Sequence, residues 1–172
     1  MKISKPFSSL CIRFLIAGIW GVVCLLIVSA PYLAANSHNT AAAAVYFSFS
    51  GMCHQIQERS FFALGFPLAV CHRCFGIYFG LLLGALIPTN FIHQSVQIRR
   101  IWVLAASMPL LLDFLLPHFG LWASTQYGRF TTGLLFGTVV SSLLVRGVIE
   151  LLNEPFWRPL SIFPISKEAF HE

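Results

Sequence analysis

Long uncharged apolar runs alternate with short polar interruptions along this chain. The pattern predicts four membrane-spanning helices, at about 14–34, 74–92, 101–117 and 130–146. The first run, Phe14 to Ala34, holds 21 residues without a charge. At about 1.5 Å per helical residue it covers a hydrocarbon layer of roughly 30 Å. Gly76, Gly80 and Gly84 recur every four residues in the second run, and Gly133, Gly137 and Ser141 do so in the fourth. Four-residue spacing lines small side chains on one helix face, where another backbone can approach closely, so helices two and four are expected to face each other. The third run contains Pro109 and a single charge, Asp113.

The polar interruptions predict the connections. Residues 35–73 form one loop between the first two spans. Within it, Asn39 or Thr40 is placed to cap a short helix through Ala41–Phe47, too short to cross a bilayer and suited to lying in its interface. Gly51 ends that helix. Phe61–Val70, broken by Gly65 and Pro67, reads as a segment in the interface, with Arg59 toward water and the neighbouring rings toward lipid. Pro117 to Gly120 makes a turn, and the tail 147–172 is the most soluble stretch. Ser29-Ala30 through Ala34-Ala35 resembles the end of a signal peptide, but the apolar run is long for one, so an uncleaved first helix is expected. The fold class is thus all-α: a four-transmembrane-helix bundle with an interfacial helical loop, in a single integral membrane domain over 1–172.

Composition agrees. Hydrophobic residues make up 57% and charged residues 10%, with a mean hydropathy of +0.78, too little polar surface for a soluble core. The formal charge of +5 is read as loop topology; no basic patch with interleaved aromatics argues for nucleic acid. With both ends inside, cytoplasmic segments hold Lys2, Lys5, Arg13, Arg99, Arg100, Arg146, Arg158 and Lys167, and the outer side only Arg59, Arg73 and Arg129. That bias orients the chain N-in and C-in, as a multi-pass protein of the cell membrane. The lipid bilayer is the implied partner, and the glycine stripes permit helix–helix partners or a homo-oligomer.

This orientation brings polar residues to one level. Cys71 to Cys74 begin the second span and Arg129 precedes the fourth, both at the outer face. Asp113 lies twelve residues beyond Ile101, about 18 Å up the third helix. An intramembrane aspartate is costly unless paired, and Arg73 and Arg129 are the available cations. Arg59, Arg73, Asp113 and Arg129 are therefore candidates to line a pocket, and the pairing serves equally as a structural lock between helices.

Three of the five cysteines cluster here, in the pattern Cys53-His54, sixteen residues, then Cys71-His72-Arg73-Cys74. Cys11 and Cys24 lie in or beside the first span and read as small apolar packing residues. Three chemistries fit the cluster. Thiolate and imidazole suit zinc or another transition metal, with Cys53, Cys71, Cys74 and His54 as ligands and His72 as the alternative fourth. A structural disulfide suits an oxidising outer face. A reactive Cys71-x-x-Cys74 pair, beside His72, Arg73 and a helix N-terminus, suits thiol–disulfide or quinone-linked redox chemistry. No Ser-His-Asp arrangement, phosphate loop or paired carboxylates appear.

The run Cys53-His54-Gln55, Arg59-Ser60-Phe61 and Cys71-x-Arg73-Cys74-x-Gly76-Ile77-Tyr78, followed by Asp113 and Arg129-x-x-Thr132-Gly133, resembles a family of small prokaryotic membrane proteins, domain of unknown function 2085. The likeness covers about Gly51 to Gly137. It implies a membrane fold and no particular activity. The position of His72 is commonly a small residue in that family, which favours His54 as the histidine ligand. The leading expectation is a membrane protein with a Cys/His metal cluster at its extracytoplasmic face. The alternatives are a membrane oxidoreductase and a non-enzymatic subunit with a structural disulfide.

Overall fold

The computed structural model describes residues 9–87, 96–120 and 124–153. They are mostly helical: α1 (Ser9–Ala35), α2 (Asn39–Ser50), α3 (His72–Leu86), α4 (Val96–His118) and α5 (Gln126–Asn153). Between α2 and α3 come a 3₁₀ turn (Gln57–Arg59) and a two-stranded antiparallel hairpin, β1 (Phe62–Ala63) with β2 (Phe66–Pro67). α1 and α5 are each long and apolar enough to cross a membrane; His72–Leu86 and Ile101–Pro117 are shorter apolar helical stretches.

Several boundaries move relative to the sequence pattern. The helix at the expected second span stops at Leu86, where Ile87 adopts an extended backbone (φ −67°, ψ 129°). Its 15 residues rise about 22 Å. The remainder of that expected span, with Pro88, Asn90 and His93, lies outside the described residues, as does the tail beyond Asn153. α4 starts at Val96 rather than Ile101, and α5 carries its helix to Asn153, so residues 147–153 are helical and not tail. The i,i+4 pair of Arg146 with Glu150 at 2.6 Å supports that extra turn. α2 is longer than Ala41–Phe47, and neither Asn39 nor Thr40 caps it. His38 stands at the cap, with its carbonyl accepting from the Ala42 N–H (2.9 Å).

The hairpin was not legible as strands. Leu64 and Gly65 both have positive φ (53° and 84°), which turns the chain back within two residues. Phe62, Leu64 and Phe66 face outward, but Leu68, Ala69 and Val70 are buried, against the expectation that all of Phe61–Val70 lies in the interface. They join Ile27, Ala30, Phe49 and Cys53 in one apolar cluster. Phe61 also turns inward. Its ring meets His72 edge-on (centroids 4.3 Å) and lies near Phe130 (5.9 Å) and Phe75 (6.2 Å). Tyr46, on α2, donates to the Pro67 carbonyl (2.5 Å) and ties the hairpin down.

The most extensive helix contact joins α3 to α5, along the two stripes of small residues. A Cβ on Gly76 would overlap the Phe130 carbonyl, one on Gly80 that of Leu134, and one on Gly84 that of Thr138. From the other side, Gly133 sits on the Arg73 carbonyl and Gly137 on that of Ile77. Two buried hydroxyls bridge the far end of this seam: Ser141 donates to the Leu81 carbonyl (2.6 Å), and Ser142 to that of Gly84 (3.3 Å). At the same level Arg13 of α1 donates to the Ala85 carbonyl (3.3 Å), satisfying a backbone acceptor at the α3 C-terminus. Replacing Gly80 by leucine must push α3 and α5 apart. We expect a loss of about 3 kcal/mol, read as a lower thermal unfolding midpoint in detergent. Gly18→Ala, where nothing lies within 4 Å, should leave the midpoint unchanged or raise it.

Candidate functional site

The glycine seam sets the height of the polar residues. Gly133 rests on Arg73, and Gly76 rests on Phe130, the residue after Arg129. Arg73 and Arg129 therefore face the same space from adjoining helices. Thr125 caps α5, its hydroxyl accepting from the Gly128 N–H (3.1 Å) and its carbonyl from the Arg129 N–H (3.0 Å). α4 delivers Asp113 to this level, and Arg73 pairs with its Oδ2 and donates to its carbonyl oxygen (3.3 Å). The other carboxylate oxygen, Oδ1, accepts from the Ser124 hydroxyl, and Ser124 Oγ in turn accepts from Arg129 Nε (3.0 Å). The Arg73 guanidinium lies 5.7 Å from the centre of the Phe114 ring, a cation–π contact.

Lining the same space, the loop between α2 and α3 meets the start of α3. The sulphurs of Cys53, Cys71 and Cys74 lie within 4.8 Å of one another, and none of the five cysteines is in a disulfide. Cys53 is buried. Its sulphur accepts the Cys71 N–H (3.2 Å) at the N-terminus of α3 and a backbone bond from Gln55. Hydrogen bonds from the Cys71 and Cys74 thiols hold Cys53 well below the ordinary thiol range, followed by those backbone donors; burial opposes them and loses. These donors favour a negative charge on the Cys53 sulphur.

Gln55 makes the loop possible. Its backbone has φ 49°, and its side-chain amide donates to the carbonyls of Tyr46 (2.6 Å) and Ala69 (2.9 Å). That amide stitches α2 to the segment leading into α3, and so holds Cys53 against Cys71. Neither Gln55 nor Ser124 stood out as a site residue in the sequence. The signal for Ser124 was its place directly before a helix-capping threonine.

The two histidines part company with the cysteines. His54 is exposed on the wall of the space and is not in the group of mutually close ligand atoms. His72 is 3% exposed and edge-on to Phe61, with no hydrogen-bond partner on either ring nitrogen among the described residues. Packed against Phe61 and out of water, it serves as a core ring.

Together these residues enclose a partly open cavity of about 490 Å³. The three cysteines line it together with Arg59, Arg73, Arg129 and Asp113. The profile of the family described as "Predicted membrane protein (DUF2085)" matches residues 53–143, from Cys53 through the cavity wall. An uncharacterized protein of Methanocaldococcus jannaschii is 35% identical over 139 residues, 77% of this chain and 89% of that one. The chain belongs to this family. A second uncharacterized protein, from Methanothermobacter thermautotrophicus, is 33% identical over 97 residues, 54% of this chain and 84% of the relative. No solved structure matches the chain. DUF2085 membership places the protein with predicted membrane proteins and leaves its chemistry to the cavity.

Asp113 offsets a guanidinium that is largely out of water (side-chain exposures 10% and 23%). Asp113→Asn should therefore cost about 2 kcal/mol, less than for a fully buried pair. Glu150→Gln, at the more exposed pair with Arg146, should cost no more than about 0.5 kcal/mol. Thermal unfolding of both variants in one detergent checks the contrast.

Proposed function

We propose that this protein is a four-span, multi-pass protein of the cell membrane, with both ends in the cytoplasm, that holds a transition metal at its extracytoplasmic face. Cys53, Cys71 and Cys74 are the protein ligands, and zinc suits them best, since it prefers thiolates and needs no redox change. The observation that carries this reading is the convergence of three sulphurs from two segments, with backbone N–H groups aimed at the most buried one. A lone structural disulfide would use two of them and leave the third without a task.

The metal has two effects in this position. It clips the outer loop onto the start of α3, a link otherwise resting on Gln55 and the apolar cluster. It also presents a Lewis acid to the cavity, because His54 stays outside the sulphur group and three protein ligands leave a position for an incoming donor. The four-span arrangement draws on α1 and α5 as full-length apolar helices, on the shorter apolar α3 and α4, and on the Lys/Arg bias of the loops.

Elemental analysis of protein purified without chelator should find about one zinc or similar metal per chain. Cys53→Ser, Cys71→Ser and Cys74→Ser should each lose most of it, and His54→Ala should retain it. A stable, metal-free wild type would contradict the proposal, and a Cys71–Cys74 disulfide trapped in cells would replace it with thiol–disulfide exchange. For the topology, reporter fusions at both termini should read cytoplasmic, and one in the loop after Ser50 should read extracytoplasmic; a fusion at Asn153 reading outside would rule out four spans.

A further inference from the structure

The cavity carries more positive charge than the protein around it uses. Three guanidinium groups line it, from Arg59, Arg73 and Arg129, and Asp113 is the one carboxylate among the described wall residues. Both oxygens of Asp113 are engaged, one by Arg73 and the other by the Ser124 hydroxyl. Arg129 reaches it only through Ser124, spending its Nε on the Ser124 oxygen. Arg59 has no ion pair or side-chain hydrogen bond among the described residues, and Arg73 Nε is buried without a partner. Against Asp113 alone the three guanidinium groups leave a surplus of two positive charges, and a Cys53 thiolate in the same lining reduces it to one. Zinc on three thiolates carries one net negative charge, so a surplus persists with the metal bound.

Like charges gathered in a partly enclosed space repel one another, and Arg129 lies close enough to Arg59 and Arg73 to be opposed by both, with Asp113 offsetting part of that repulsion. A fold keeps such a cluster at a cost in stability that an anionic occupant removes. Guanidinium is the side chain whose planar donors match the oxygens of phosphate and carboxylate groups. Three of them on different walls suit a tetrahedral group with several oxygens and close to two charges better than a planar carboxylate with one. The volume of about 490 Å³ leaves room for whatever the phosphate is esterified to.

We propose that this cavity is a binding site for a phosphate group, held by Arg59 and Arg129 with Arg73 as the fixed third wall. The phosphate faces the cysteine cluster, so the site adds a ligand class to the metal-centre reading; its own support is the arginines. At the membrane surface the same chemistry arrives from two sources, a soluble phosphate ester or a phospholipid headgroup.

The test uses the full chain purified in a neutral detergent, with inorganic phosphate as the probe in calorimetry. In parallel, the protein is placed in nanodiscs of phosphatidylcholine with and without phosphatidic acid, and retained phosphatidic acid is read by native mass spectrometry. Arg59→Gln and Arg129→Gln are each expected to weaken the interaction about tenfold, with metal content unchanged. Arg59 is exposed, so its variant keeps the fold even if the Arg129 variant does not. Saturable, Arg59-dependent binding of inorganic phosphate supports the site and assigns it to soluble phosphate. Arg59-dependent retention of phosphatidic acid alone supports it and assigns it to lipid. Absence of Arg59-dependent binding in both arms overturns it. Phosphate binding by a protein found to hold no metal leaves this site standing while the metal reading falls.

Discussion

The contact of α3 with α5, backbone against backbone, is the constraint on which the rest of the molecule depends. In a bilayer, apolar side chains gain little by leaving lipid for each other, so association relies on close packing and on polar bonds. Five glycines remove the side chains that would hold the two helices apart. The register this imposes is tight, because each glycine fits over one particular carbonyl. Arg73 is held over Gly133, and Arg129 is one residue from the carbonyl over Gly76. The placement of Arg73 and Arg129 in the cavity is therefore a consequence of helix packing.

Two compensations let a polar site exist in this apolar body. Asp113 is costly within an apolar helix, and it is tolerated because one oxygen meets Arg73 and the other Ser124. Cys53 is buried among Ile27, Phe49 and Val70, yet its sulphur is surrounded by donors from Cys71, Cys74 and the backbone. The first compensation joins α3 to α4, and the second joins the loop after α2 to α3. The space left between them is the cavity, and its unspent donors are guanidiniums. A metal and an oxyanion are the two kinds of occupant we propose for these walls.

Much of this was legible in the sequence for identifiable reasons. A four-residue glycine repeat has one strong physical consequence, close helix approach, and α3 and α5 meet as that spacing predicts. That Cys53, Cys71, Cys74, Arg73 and Asp113 line one space was expected from helix rise, which is insensitive to detail. What failed depended on detail. A two-residue turn with Leu64 at positive φ goes against the preference of leucine. The inward turn of Phe61 and the burial of His72 are set by packing with Phe130 and Phe75, far away in sequence. Gln55 and Ser124 act through single hydrogen bonds, which leave no periodic trace.

The central claim is that three thiolates from Cys53, Cys71 and Cys74 hold one metal with a position left for an outside donor. X-ray absorption at the metal edge of the purified protein tests it most directly. The account predicts three sulphur neighbours at about 2.3 Å and one lighter oxygen or nitrogen neighbour. Fewer than three sulphurs around a bound metal would contradict it.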